Sequence, residues 1–192
     1  VSPACATRTC GARAFSAFDD LGLVELIVEQ GEGALDTLPK GIRDNKEAMA
    51  ETIENNLRKL IIDEQPVNPK YYEKMSELLD ALIQERKAQA LEYKKYLTKL
   101  VELAGKVKKP AETSAYPVSL DSPAKRALYD NLDYDEELAI RIDTAVRDTK
   151  KDAWRGNRFK EREVMNVVRE ELGTYVGKAE AIFALVKNQR EY

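Results

Sequence analysis

Between Asp44 and Glu64 apolar residues return every three or four positions, at Met49, Ile53, Leu57, Leu60 and Ile61. That spacing puts them on one side of a helix. The same rhythm runs from Pro69 to Lys106 through Tyr72, Met75, Leu79, Leu82, Arg86, Ala90, Tyr93, Leu97, Leu100 and Ala104. Its steps alternate near three and four, as in a coiled-coil seam. It predicts one long helix of about 55 Å, at about 1.5 Å per residue. Arg86 interrupts the seam within "QERKAQ", so the helix bends or changes partners there, or Arg86 snorkels outward.

Shorter segments flank these two. Asp19 to Gln30 predicts a helix with acids at its start and Leu21, Val24, Ile27 and Val28 on one side. Asp44 with Glu47 reads as a capping box. Asn68-Pro69 and Ser122-Pro123 each pair an N-cap residue with a proline that needs no N–H. The second pair opens a helix to Leu132, and Asp135 to Lys150 predicts the next. "WRGNRF" (Trp154 to Phe159) reads as a loop, Lys160 to Leu172 as a helix ended by Gly173. Tyr175 to Gln189 closes the series, burying Val176, Ala179, Ile182, Phe183 and Val186.

No strand pair stands out, so the expectation is an all-α helical bundle built around one long helix at 69–106, with a smaller C-terminal helical group. Residues 1–18 have neither helical periodicity nor a secretory apolar core, and read as a disordered lead-in or a fragment edge. Residues 19–106 form a helical subdomain on this reading. Residues 107–122, rich in proline, serine and threonine, form a linker, and 123–192 a second helical subdomain.

Composition narrows the chemistry. The 192 residues contain no histidine, which removes the commonest general base and zinc ligand. Two cysteines, Cys5 and Cys10, suit a reduced, cytoplasmic protein with incidental thiols. No apolar run is long enough to cross a membrane.

"LIIDE" (Leu60 to Glu64) looks like the magnesium-binding strand of an ATP-driven motor. No phosphate-cradling G-x-x-x-x-G-K-[ST] accompanies it, and its apolar residues continue the helical rhythm begun at Met49. It therefore reads as a helix end. Glu85-Arg86-Lys87 and Glu92-Tyr93-Lys94 match the nuclease triplet E-x-K, but inside a helix such side chains diverge by about 100° per residue. Asp130, Asp133, Asp135, Glu136 and Glu137 lack the glycine and distal glutamate of a calcium loop. No catalytic, cofactor or metal residue is assigned.

Charge is more informative. The chain as a whole carries −3, yet residues 84–109 carry +5, residues 150–169 carry +4 and residues 17–64 carry −7. The basic stretches nominate Lys94, Lys95 and Lys99, and Lys150, Lys151, Trp154, Arg155, Arg158, Lys160 and Arg162, as contacts to DNA or to an acidic partner. Trp154 and Arg155 are residue types that anchor interfaces. The competing reading has Trp154 packing inward and closing one helix on the next.

Three segments resemble one family. Leu38 to Lys87, with its I-x-x-x-P-x-N-P-x-Y-Y-x-K-M-S block, is similar to the C-terminal helical region of the restriction subunit (HsdR) of type I restriction-modification enzymes. Tyr116 to Leu132 and Trp154 to Leu172 resemble later blocks of the same region. The resemblance implies a parent subunit with a nuclease domain and an ATP- and magnesium-dependent motor that translocates DNA. It implies that the helical region joins that subunit to the methyltransferase and specificity subunits. None of the family's nuclease or motor motifs has a matching position here. The expectation is a non-catalytic assembly domain without a cofactor. The alternatives are a direct binder of double-stranded DNA and an autonomous helical scaffold or regulator.

Overall fold

The computed structural model describes residues 22–31, 33, 40–89 and 91–192. The lead-in at 1–18, both cysteines, and the expected helix start at Asp19 to Leu21 lie outside them. The described residues contain ten α-helices and no strand. They are α1 (Gly22–Gln30), α2 (Lys40–Arg43), α3 (Lys46–Glu64), α4 (Pro69–Lys87), α5 (Tyr93–Lys108), α6 (Pro110–Thr113), α7 (Pro123–Asn131), α8 (Glu136–Thr149), α9 (Arg158–Leu172) and α10 (Ala179–Asn188). The chain is all-α, as its periodicity requires.

Local chemistry explains where several of the helices start. Asn68 caps α4 by accepting from the Tyr71 N–H, and Ser122 caps α7 by accepting from Lys125 N–H, each followed by proline. Asp135 caps α8 through the Leu138 N–H. The cap of α3 is Asn45, whose Oδ1 accepts from Glu47 and Ala48 N–H at 3.0 and 3.2 Å. Asp44 does not take that role, because the one-turn helix α2 ends beside it.

The expected long helix at 69–106 is two helices. α4 stops at Lys87, Gln89 adopts a left-handed φ of 52°, and α5 restarts at Tyr93. The two run antiparallel: Glu85 meets Lys99 at 3.0 Å near the turn, and the Tyr71 hydroxyl donates to Lys106 O at 2.8 Å at the far end. A left-handed non-glycine residue costs about 1–2 kcal/mol. Against it, the hairpin buries Tyr96, Leu97, Leu100, Leu103 and Val107 on the core that α3 and α4 already share. Each such side chain contributes about 1.5–3 kcal/mol, so folding back wins by a wide margin.

Arg86 does not snorkel. Its side chain is 13% exposed, with Nε 2.9 Å from Glu54 Oε1 and Nη1 3.1 Å from Glu47 Oε1. Glu54 is itself buried and also accepts from the hydroxyl of Tyr96. The hydrogen bonds run from Nη1 to Glu47 and from Nη2 to Glu54 at 3.4 Å, while Nε makes none among the described residues; ion pairing is what makes the sheltered charge tolerable.

Two apolar cores result. One gathers buried residues from Leu23 to Val107, the other from Ala124 to Tyr192. The segment between them is packed: α5 runs on to Lys108, Leu120 is buried, and the Tyr116 hydroxyl donates to Asp130 at 2.7 Å. Polar contacts join the halves, where α4 packs on α7. Asn68 Nδ2 donates to Asp130 at 2.6 Å while its Oδ1 accepts from Asn131 at 2.8 Å. Gln189 Nε2 donates to Val67 O, and Asp133 takes both Lys70 and Lys178. The last helix is shorter than expected. Gly173–Lys178 forms a 3₁₀ segment that leaves Val176 exposed, and Phe183 is only half-buried.

Candidate interaction surface

The basic stretch at 150–169 sits where α8 turns into α9, and the turn sorts its residues into two kinds. Trp154 is 3% exposed, packed with Phe183 at a ring separation of 6.2 Å. It is an inward plug, and the contact role expected of it is corrected by this packing. Its indole N–H has no partner among the described residues.

Arg155 is likewise committed to the fold. Its guanidinium donates to main-chain oxygens of Lys187, Tyr192 and Gln189 at 2.8, 2.6 and 2.5 Å and lies 5.0 Å from the Trp154 ring. It ties the end of α10 to the α8–α9 turn and has few N–H groups left for a phosphate. The expected loop is also shorter than "WRGNRF". Gly156 turns the chain with φ of 80°, and Asn157 caps α9 by accepting from Phe159 and Lys160 N–H. Helix α9 thus starts at Arg158, two residues before the expected Lys160.

Lys151 pairs with Glu163 at 2.7 Å, and Lys160 Nζ donates to Asp152 O at 2.6 Å. Glu161 accepts from the Gly156 N–H at 2.8 Å and pairs with Lys187 at 2.8 Å. Lys187 and that N–H together hold the Glu161 carboxyl below its ordinary value. Lys150 is half-buried at the C-cap of α8.

Arg158 and Arg162 behave differently. Both are exposed, and neither has a carboxylate within 4.0 Å among the described residues. With Arg169 they line a shallow groove of about 370 Å³ whose other walls are Met165, Asn166, Phe183 and Glu161, the last neutralised by Lys187. Arg169 was counted in the charge of this stretch but not singled out. Its signal was positional: 158, 162, 165 and 169 step by four, three and four along one helix face.

Lys94, Lys95 and Lys99 occupy a separate place, exposed on α5 and lining a groove of about 390 Å³ with Leu91 and Thr98. Lys99 pairs with Glu85, and Lys95 is 4.0 Å from Glu92. The structure therefore puts the candidates on elements of different cores.

The acidic candidates are structural in geometry. Asp130 is buried, and burial raises its pKa despite bonds from Tyr116 and Asn68. Asp133 is exposed, with its pKa lowered to about 2 by Lys178 and Lys70. Asp135 is the α8 cap, and Asp63 and Glu64 end α3 as the rhythm implied. Among the described residues no three such groups cluster to hold a metal, and no helix is long and apolar enough to cross a membrane. No protein-family model, characterised protein or solved structure matches this chain.

Proposed function

We propose that this chain is a non-catalytic assembly domain of the restriction subunit of a type I restriction enzyme. It docks the ATP-driven, DNA-translocating and cleaving subunit onto the methyltransferase–specificity core. The observation that supports this reading most is where the resembling blocks lie. Asn68, in the distinctive N-P-x-Y-Y block, bonds Asp130 and Asn131 of the second block. Arg155, in the third, fixes the end of α10. The resemblance falls on residues that set the geometry of the joint and the C-terminal bundle, which suits a scaffold that holds surfaces in register. ATP and magnesium belong, on this reading, to the parent subunit's motor, and no residue here is assigned to them.

The test is retention of the purified methyltransferase–specificity core by this immobilised chain at low salt. Absence of binding would count heavily against the reading. A second reading, direct binding of double-stranded DNA, rests on the +5 and +4 stretches. It predicts affinity for a duplex that falls steeply with salt. The pairing of Lys99, Lys151 and Arg155 within the fold weakens it. An autonomous scaffold is the third reading. A reading frame that joins this chain to nuclease and motor motifs, beside methyltransferase genes, would decide against it.

A further inference from the structure

Among the arginines of the C-terminal bundle, Arg141 pairs with Glu171, Arg147 with Asp143 and Glu191, and Arg155 with main-chain oxygens. Arg158, Arg162 and Arg169 have no such partner among the described residues and share one groove. Exposed arginines cost little alone, but three on one helix face, with a half-buried Met165 and Phe183 between them, make a directional surface. Phe159, 82% exposed, stands one turn before Arg162 and adds an apolar anchor at the edge.

We propose that this face of α9 is the docking surface, and that its occupant is an acidic helical segment of a partner protein. The proposal deepens the assembly reading above and rests on it. Two observations favour protein over nucleic acid. First, α9 carries four basic and four acidic residues over Arg158–Leu172, so the helix as a whole projects no net positive field to follow a polyanion. Isolated guanidinium forks amid carboxylates read discrete carboxylates, which they bind in bidentate geometry. Second, the four-three-four stepping is the spacing at which a packed helix presents its own residues. A segment with Asp or Glu at matching steps, flanking a small apolar residue for the Met165–Phe183 floor, fits the groove.

The experiment compares this chain with its Arg158→Glu/Arg162→Glu/Arg169→Glu variant for affinity to the purified methyltransferase–specificity core and to a 30-base-pair duplex. The side chains are exposed, and matching urea unfolding curves confirm that the fold is kept. The expected result is a loss of core affinity of about 30-fold or more, with duplex affinity changed by less than about threefold. Lysine at all three positions keeps the charge but loses the fork, and recovers only part of the affinity. Glutamate at Lys94, Lys95 and Lys99 leaves core affinity within about twofold, as expected for exposed charges outside the interface. Unchanged core affinity in the α9 variant overturns the surface while leaving the assembly reading intact. Loss of duplex binding with core affinity kept assigns the face to nucleic acid and also overturns it. If the unmodified chain does not bind the core, the assembly reading falls and this surface falls with it.

Discussion

Arg155 offers a sharp test, because the sequence nominates it for binding while the structure uses it as a clamp. In Arg155→Ala three donors disappear from the oxygens of Lys187, Gln189 and Tyr192. Hydrogen bonds from a charged group contribute about 1.5–3 kcal/mol each when sheltered, and less in water. Two of the three are partly buried and one is exposed. Taking the low end for the sheltered pair and about 0.5 for the exposed bond gives about 3.5 kcal/mol. Releasing the arginine side chain returns about 1.5 kcal/mol of rotamer entropy. The expected net loss is about 2 kcal/mol. With a urea m-value of about 2 kcal/mol/M, the midpoint moves down by about 1 M. Arg155→Lys keeps the charge but loses the fork, and falls between. A shift under about 0.2 M in Arg155→Ala, together with a large loss of partner or duplex binding, would refute the clamp and restore the contact role.

Gln89→Gly separates a hairpin from a continuous helix by sign. With φ at 52°, glycine relieves strain and should stabilise by about 0.5 kcal/mol, whereas mid-helix glycine costs about 1 kcal/mol; urea unfolding reads the difference. Glu54→Ala leaves Arg86 and the Tyr96 hydroxyl short of their shared partner and should cost about 3–5 kcal/mol in the same assay. Asp130 and Asp133 should give opposite pH dependences. The raised pKa of Asp130 disfavours the fold as pH rises through it, so Asp130→Asn should flatten that loss and be neutral or stabilising near neutrality. The lowered pKa of Asp133 supplies stability above the ordinary aspartate value that is lost as pH falls from about 4 towards about 2, and Asp133→Asn should shrink that acid limb in pH-dependent urea titrations, leaving the part that Glu161 and Asp121 supply.

The helices were legible because their signals are local. Asn68-Pro69, Ser122-Pro123 and the Met49–Ile61 rhythm each act within a turn or two. The break at Ala88–Glu92 was hidden because its cause is not local. The seam on either side of it is helical, and what makes folding back preferable is the burial of Tyr96, Leu97, Leu100, Leu103 and Val107 on the core shared with α3, with Tyr96 bonded to Glu54. Tyr96 was missed because it lies one position off the stripe drawn through Tyr93 and Leu97. The same limit applied to the surface. Net charge located a basic stretch, but charge cannot say that Arg155 is spent on carbonyls and Arg158 is not. That depends on the end of α10 arriving beside the turn, more than thirty residues later in the chain.

The joint around Asn68 has a consequence for how the molecule comes apart. Each half keeps its own oil-like interior, and what crosses between them is directional: an amide against a carboxylate, a second amide, a lysine-straddled aspartate. Such a seam fixes orientation through bonds whose strength depends on geometry and is lost over a short displacement. Amide exchange should therefore show α4–α5 and α8–α9 opening as separate units, and force applied between the two halves should part them before either one melts.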